Sequence, residues 1–271
     1  MRAVRVIFSI IFVVVLCVYA YVNYTKSVDT TFPVIKSDVK VIEASVDDDN
    51  SALLGHITAT DGKDGDISSA VVVEKVSAFI SKGKVNVTFA VSDADNNISK
   101  LTVPVVYTDY TDPEITLLDD LVFKTGGPAS VKDAIKATDK IDGDITDRLV
   151  VIANETDSTV SGNYPITIKV TNSKSYTYTL DIDLIMSDYI ESGYEIELSE
   201  YLIYKKVGES VDYNSYINSA SVPYGKDESY DIQIDSKEVD PNTPGIYNAY
   251  YYEKVGGEIK SMTRLIVCYE E

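Results

Sequence analysis

A phrase of eight residues occurs twice in this chain and limits the possible folds more than any other feature of the sequence. Asp61–Ser68 reads DGKDGDIS, and Asp139–Thr146, 78 positions later, reads DKIDGDIT; each copy follows an Ala-Thr pair. A second pair of matching segments, Asp29–Ile35 and Asp109–Ile115, is offset by 80 positions. Two markers with nearly the same offset predict a tandem array with a period near 80 residues. Such an array favours several small domains over a single catalytic domain.

The segments between these markers have the pattern of β-strands. Short runs rich in Val, Ile, Thr and Tyr alternate with clusters of Gly, Asp, Asn and Pro, which is typical of an all-β sandwich. A closing hairpin is predicted in each unit: Val85–Val91 with Ile98–Val106, Tyr164–Val170 with Ser175–Leu184, and Gly245–Tyr252 with Met262–Tyr269. The predicted domains are residues 28–108, 109–187 and 188–271, and the third has lost the Asp-Gly-Asp phrase.

Residues 1–27 differ from the rest of the chain. Arg2 and Arg5 precede the segment Val6–Val22, which contains no charged residue. About 20 apolar residues suffice to cross a bilayer as a helix, and the flanking arginines favour a cytoplasmic N-terminus. The segment is therefore predicted to be a single-pass membrane anchor with the bulk of the chain outside the cell. The alternative is a signal peptide cleaved after Val18-Tyr19-Ala20, which would give a secreted protein.

The chain is strongly acidic, with 43 acidic against 24 basic residues and a net charge of −19. A surface of this charge repels nucleic acid and anionic lipid, so nucleic acid is excluded as a partner. It would attract cations, although a solvated, soluble surface explains the same composition. Cys17 and Cys268 lie too far apart to form a disulfide within one domain, which favours a bacterial surface protein over a eukaryotic secreted one.

The residues needed for common catalytic sites are scarce. His56 is the single histidine, so a Ser-His-Asp triad or a histidine-rich metal site would have to be built around it alone. The sequence also has no Cys-x-x-Cys pair and no glycine-rich phosphate loop. We therefore expect that the protein is not an enzyme.

Two motifs resemble the immunoglobulin-like repeats of bacterial cell-surface proteins. Ala137–Thr146 matches the phrase Ala-Thr-Asp-x-x-Asp-Gly-Asp-Ile-Thr, and Asn242–Tyr247 matches the Pro-Gly-x-Tyr signature that comes later in such repeats. The resemblance implies an all-β fold of tandem immunoglobulin-like sandwiches, here preceded by one transmembrane helix. It also implies a cell-surface location and roles in adhesion, spacing or polymer binding. It implies no particular activity.

The acidic phrase is the most site-like feature of the chain. Calcium binds six to eight oxygens, so two triplets of aspartates are candidate calcium ligands. They are Asp61, Asp64 and Asp66 in the first unit, and Asp139, Asp142 and Asp144 in the second. An immunoglobulin-like topology would add Asp29, Asp93 and Asp95 to the first group, and Asp109, Asp112 and Asn172 to the second. The alternative needs no metal, because Asp and Gly together form tight loops.

The third unit carries 13 of the 21 tyrosines, including Tyr250, Tyr251 and Tyr252 in succession. Tyrosine offers an apolar face with a polar tip, so these three residues are candidate contacts for a glycan or protein. Tyrosine is also a favoured strand residue, which explains the same enrichment without a ligand.

Taken together, these features predict a membrane-anchored bacterial surface protein that acts in adhesion. Its partner would be a protein or glycan of the cell surface or envelope, and its possible cofactor is calcium. The alternative is a passive stalk or envelope scaffold with no ligand of its own.

Overall fold

The computed structural model describes residues 2–27, 29–153, 157–224 and 229–271, without the side chains of residues 2–5 and 25–27. It is built mainly from short strands that form several sheets, and it has one long N-terminal helix. The prediction of a mainly β protein with an apolar N-terminal helix is therefore confirmed. The chain divides into two compact units, Met1–Tyr110 and Thr111–Glu271.

The N-terminal helix, α1, runs from Arg2 to Ser27. Its segment Val6–Tyr24 is 19 residues long, has a mean hydropathy of 2.5, and is not buried against any described part of the chain. By length and composition this segment is able to cross a membrane, and a signal sequence has the same properties.

The remainder of the first unit is a two-sheet sandwich. Its elements are β1 (Val34–Ser37), β2 (Ile42–Ala44), α2 (Asn50–Leu54), β3 (Ile57–Asp61), β4 (Gly65–Asp66), β5 (Val72–Val76), β6 (Lys84–Ser92) and β7 (Ile98–Tyr107). One sheet has the order β1-β3-β4 and the other the order β2-β7-β6-β5. Strand β2 runs parallel to β7, and the other pairs are antiparallel.

Alternation of side chains along β6 builds the core of this sandwich. Val85, Val87, Phe89 and Val91 are buried, and the residues between them are partly exposed. Because successive strand residues point to opposite faces, one apolar residue in two is enough to cover the inner face of the sheet. Strand β6 ends at Ser92, and the turn that follows presents Asp93 to the same end of the sandwich as the β3–β4 loop.

The second unit begins with a sandwich of the same strand order. Its elements are β8 (Glu114–Leu117), β9 (Val122–Lys124), β10 (Ile135–Asp139), β11 (Gly143–Asp144), β12 (Val150–Ala153), β13 (Gly162–Thr171) and β14 (Thr177–Ser187). The two sheets are β8-β10-β11 and β9-β14-β13-β12, with β9 parallel to β14. The repeated phrase lies at equivalent places in both sandwiches, since it covers the end of β3 with β4 and the end of β10 with β11.

Six further strands complete the second unit. They are β15 (Glu195–Leu198), β16 (Leu202–Lys206), β17 (Ile217–Ser221), β18 (Tyr230–Asp235), β19 (Gly245–Val255) and β20 (Glu258–Glu270). They form the sheets β15-β17 and β16-β20-β19-β18, with β16 parallel to β20. The predicted boundary between residues 187 and 188 falls between β14 and β15, inside the second compact unit.

A continuous hydrophobic core joins the two halves of the second unit. It extends from Ile115 and Leu117 on β8 to Leu265 and Tyr269 on β20. Polar contacts accompany it: the Tyr204 hydroxyl donates to the Ile115 carbonyl over 3.1 Å. Every residue of β20 from 261 to 269 is buried, which is unusual for a strand of a small sandwich and follows from packing on both of its faces.

Candidate functional site

The repeated phrase forms a tight loop in both copies. In the first, Asp61 ends β3 and its Oδ1 accepts hydrogen bonds from the backbone N–H groups of Lys63 (2.8 Å) and Asp64 (3.0 Å). Gly65 follows with φ of +76°, a left-handed conformation that glycine adopts at little cost. The local chemistry of the phrase thus accounts for the loop without any ligand.

The second copy repeats this geometry closely. Asp139 Oδ1 accepts from the backbone N–H groups of Ile141 (2.8 Å) and Asp142 (3.1 Å), and Gly143 has φ of +69°. The shared part of the phrase is therefore explained by loop formation. Any difference between the surroundings of the two loops must therefore come from residues that the two phrases do not share.

The middle aspartate of each phrase ties its loop to the adjacent hairpin. Asp64 Oδ2 accepts from the backbone N–H of Ala94 over 2.8 Å. In the second copy, the Asp142 carboxylate accepts from the backbone N–H of Ser173 (2.5 Å), the Ser173 hydroxyl (2.6 Å) and the Arg148 guanidinium (2.7 Å). These two predicted calcium ligands therefore form hydrogen bonds between loops in the structure.

The last aspartate of each phrase accepts hydrogen bonds from the residue two positions later, where a short 3-10 turn begins. Asp66 Oδ1 accepts from the Ser68 backbone N–H over 3.0 Å and from the Ser68 hydroxyl over 2.7 Å. These hydrogen bonds from Ser68 lower the pKa of Asp66. Asp144 Oδ1 accepts from the Thr146 backbone N–H in the same way, over 3.0 Å. Both carboxylates are exposed and lie outside the group of aspartates described next.

Three aspartates from separate segments of the first unit converge. Asp29 precedes β1, Asp61 ends β3 and Asp93 follows β6, and each contributes a carboxylate oxygen to a group within which all distances are below 4.8 Å. Asp61 is 8% exposed and Asp93 is 7% exposed. Of the six aspartates that the topology was expected to gather in this unit, these three meet in a single group.

Asn97 holds two members of the group in place. The backbone N–H of Asn97 donates to Asp93 Oδ1, and its side-chain amide donates to Asp93 Oδ2, both over 2.7 Å. The same amide donates to the backbone carbonyl of Asp29 over 3.0 Å. Thr31 donates to the Asp29 carboxylate through its backbone N–H and its hydroxyl, and these hydrogen bonds lower the pKa of Asp29.

The second carboxylate oxygen of Asp61 is buried without a described hydrogen-bond donor, unlike the first. Asp61 Oδ2 is fully buried, and no described group of the protein donates a hydrogen bond to it. Lys63, the basic residue of the same loop, directs its ammonium to Asp95 Oδ2 at 2.5 Å. A buried carboxylate oxygen without a donor is costly, and such atoms are rare in folded proteins.

The second unit arranges the corresponding residues differently. Asn172 stands where the first unit has Asp93, and its side-chain amide donates to Asp139 Oδ2 over 3.2 Å. Asp109, the sequence counterpart of Asp29, belongs instead to the first compact unit, where it accepts from the Ser45 hydroxyl (2.7 Å) and the Val46 backbone N–H (2.9 Å). Asp112 accepts from the Tyr176 hydroxyl over 2.6 Å. Each of these carboxylates has a protein donor.

The three consecutive tyrosines have two different environments. Tyr251 is completely buried, and its hydroxyl donates to the Tyr213 carbonyl over 2.9 Å. Tyr250 and Tyr252 are half-buried, and their rings stack with centroids 6.3 Å apart and an angle of 28° between the ring planes. Both pack beside Met262. Tyr251 is therefore a core residue, and its two neighbours keep part of their surface open to solvent.

Two buried ionisable groups were not anticipated from the sequence. Glu253 is 0% exposed, and neither carboxylate oxygen receives a hydrogen bond from a described residue. Arg264 is 1% exposed and donates to the Asp183 carbonyl and to Asn248 Oδ1. The period of two along β19 was an available signal, because Glu253 follows the inward-facing Ala249 and Tyr251 at spacings of two.

His56 lies partly exposed beside Asp38, with Nδ1 of the ring 3.0 Å from Asp38 Oδ1. The expectation that the protein is not an enzyme remains a prediction.

Comparison with known proteins gives limited likenesses. No family model matches the chain. A 123-residue segment is 31% identical to the pesticidal crystal protein Cry22Aa of Bacillus thuringiensis, which is 43% of this chain and 16% of that protein. The chain thus spans less than a fifth of the curated relative that it matches.

Similar solved structures superpose weakly. One contains the CBM51-2 and INT domains of Clostridium perfringens ZmpB in complex with GlcNAc, with a TM-score of 0.23, 18% identity and coverage of 87% of this chain and 41% of that one. Another is Drosophila N-cadherin EC1-4, with a TM-score of 0.25, 9% identity and coverage of 86% and 74%. TM-scores of this size do not establish a common arrangement of the whole chain.

Proposed function

We propose that this protein is a membrane-tethered bacterial surface protein whose immunoglobulin-like sandwiches contact a protein or glycan partner. The exposed apolar helix carries the proposal. A 19-residue segment with a mean hydropathy of 2.5 and no burial exposes far more apolar surface than soluble proteins tolerate. A lipid bilayer would bury this apolar surface, and Arg2 and Arg5 before the segment favour a cytoplasmic N-terminus.

The strand orders support the immunoglobulin-like part of the proposal. In both seven-strand sandwiches the first two strands belong to opposite sheets, and the second of them runs parallel to the last strand of the sandwich. Immunoglobulin-like domains have two packed, largely antiparallel sheets, and their N-terminal segment contributes a strand to each sheet.

The stacked pair Tyr250 and Tyr252 is the proposed contact surface. Both rings retain exposed area, and such rings offer an apolar face to a sugar ring or an apolar side chain. Tyr251 is excluded from this surface by its burial. An acidic protein would bind a neutral or basic partner here more readily than an acidic polymer.

The location is tested by protease treatment of intact cells that express the full chain with a C-terminal tag. We expect the chain in the membrane fraction and the tag removed by external protease. Recovery of the tagged chain in the medium would favour the cleaved signal peptide, and protection of the tag in intact cells would refute the proposal.

The partner is tested with the full chain in detergent, applied to arrays of cell-wall polymers, glycans and surface proteins. We expect a bound ligand whose signal falls in the variant Tyr252→Ala. The matched control is Tyr224→Ala, which alters a fully exposed tyrosine at 108% relative exposure. Absence of any bound ligand would favour a passive stalk.

A further inference from the structure

We propose that the first unit binds one calcium ion between the carboxylates of Asp29, Asp61 and Asp93, and that the second unit binds none. Two independent observations carry this inference. The three carboxylates converge from three separate segments. Within the group, the buried Oδ2 of Asp61 has no described hydrogen-bond donor.

The spacing of the oxygens suits calcium. Calcium–oxygen distances are about 2.3–2.6 Å, so two ligands of one ion lie at most about 5 Å apart. The three carboxylate oxygens lie within 4.8 Å of one another, inside that limit. Magnesium binds at about 2.0–2.1 Å and requires near-ideal octahedral geometry, so it is a poorer match for three aspartates on separate loops.

The charge of the group also favours a bound cation. Asp61 and Asp93 are both more than nine-tenths buried, and like charges at short range in a buried site repel strongly unless they are neutralised. Lys63 acts electrostatically on Asp29, but its ammonium is bonded to Asp95 and makes no described hydrogen bond to Asp61 Oδ2. A divalent ion would offset most of the negative charge of the three carboxylates and supply the partner that Asp61 Oδ2 lacks among the described residues.

The second unit provides an internal comparison. Its loop has the same backbone hydrogen bonds to Asp139, but Asp139 Oδ2, whose counterpart Asp61 Oδ2 has no described donor, accepts a hydrogen bond from the side-chain amide of Asn172 over 3.2 Å. Two differences separate the two sites. Asp93 brings a negative charge where Asn172 brings a hydrogen-bond donor, and Asp109, the counterpart of Asp29, bonds Ser45 and Val46 instead. The proposed stoichiometry is one ion per chain, although the repeated phrase occurs twice.

The ion would have a structural effect on the first unit. Asp29 lies between helix α1 and strand β1, whereas Asp61 and Asp93 belong to two loops of the sandwich. Binding all three would fasten the segment before β1 to both loops. This role does not depend on the membrane location or on the surface partner, so it can fail or succeed independently of the proposed function.

The test uses the full chain in detergent, titrated with calcium by calorimetry and melted in calcium or in chelator. We expect one ion per chain with a dissociation constant of about 10⁻⁴–10⁻³ M, the range of extracellular calcium modules. At about 10 mM calcium, roughly 10 to 100 times this dissociation constant, the melting midpoint of the first unit should rise by about 5–20 °C. Magnesium at the same concentration should produce a smaller rise.

Matched variants distinguish a loss of calcium binding from a loss of the loop structure. Asp61→Asn keeps an oxygen for the two backbone N–H groups but should weaken calcium binding at least about tenfold, because even indirect ligand partners are worth that much. Asp139→Asn makes the same change in the second unit and should leave binding unchanged. Asp93→Asn reproduces the arrangement of Asn172, so it should abolish binding and melt higher than the wild type in chelator.

Three results would overturn the proposal. The first is the absence of both binding heat and a shift of the melting midpoint up to about 10 mM calcium. The second is a stoichiometry of two ions per chain. The third is an equal loss of calcium binding in Asp61→Asn and Asp139→Asn. An equal response to magnesium would overturn the assignment to calcium. Far-UV circular dichroism of each variant confirms that the loss of binding is not a loss of folding.

Discussion

Replacement of Glu253 by methionine should stabilise the second unit at neutral and alkaline pH and leave it nearly unchanged near pH 4. Glu253 lies on β19 opposite Ser261 and Ile232, is 0% exposed, and has no described hydrogen-bond donor at either carboxylate oxygen. Burial raises its pKa from 4.5 to about 7. Methionine has a similar length and no charge, so it fills the same space without this penalty.

The magnitude and sign follow from the shift in pKa. The unfolded carboxyl ionises near pH 4.5, whereas the folded one keeps its proton until about pH 7. The folded protein therefore has its full stability below pH 4.5, loses stability as the pH rises from 4.5 to 7, and changes little above that. A shift of this size corresponds to about 3 kcal/mol, of which about 2.5 kcal/mol falls between pH 5 and pH 8.

Urea unfolding at pH 5 and pH 8, followed by tyrosine fluorescence, measures this effect. Sixteen of the 21 tyrosines lie within residues 111–271, so the signal reports mainly on the second unit. The free energy of unfolding of Glu253→Met minus that of the wild type should grow by about 2.5 kcal/mol from pH 5 to pH 8. Asp120, whose pKa burial raises to about 6, contributes to both proteins and cancels in the difference.

The control is Glu195→Met, a change at an exposed glutamate on β15 of the same unit. Its difference from the wild type should be independent of pH within a few tenths of a kcal/mol. Parallel pH profiles for Glu253→Met and the wild type would refute the reasoning, because they would mean that Glu253 ionises in the folded protein as easily as in the unfolded one.

Two smaller changes test the loop and the core. Gly65→Ala should destabilise the first unit by about 1–2 kcal/mol in thermal unfolding, because φ at Gly65 is +76°. Gly62→Ala in the same loop, where φ is not positive and an added Cβ meets nothing within 4 Å, should cost less; equal costs would contradict the strain. Tyr251→Phe removes the hydroxyl that donates to the Tyr213 carbonyl and should cost about 0.5–1.5 kcal/mol in urea unfolding. A variant as stable as the wild type would show that this hydrogen bond contributes nothing.

The strands and loops could be predicted from the sequence because their causes are local. The alternation Val85, Val87, Phe89, Val91 assigns β6 and its buried face, and all four residues are buried. The aspartate and glycine of the phrase form the same loop in both copies, since the hydrogen bonds involved span two or three residues. The apolar helix follows from composition alone.

The roles of the individual aspartates could not be read from their spacing. In the sequence the two phrases look equivalent, and each contains three candidate calcium ligands. In the folded chain, Asp64 and Asp142 accept hydrogen bonds from the adjacent hairpin, and Asp66 and Asp144 accept them from the residue two positions later. Asp61 alone of its phrase joins the carboxylate group among the described residues. The donors to Asp61, Asp66 and Asp144 lie two or three residues away in the chain, whereas Asp64 and Asp142 accept hydrogen bonds from the adjacent hairpin.

Local chemistry therefore determines the alternation along the strands, the tight loops and the membrane-length helix, because each of these depends on residues close together in the chain. Tertiary structure decides which charges meet. Asp29, Asp61 and Asp93 converge only when two loops and the segment before β1 reach the same end of the sandwich. In the second unit the same packing brings the amide of Asn172 to Asp139. Whether a buried carboxylate meets another charge or a hydrogen-bond donor is set by packing across the sandwich, which the order of residues along one strand does not reveal.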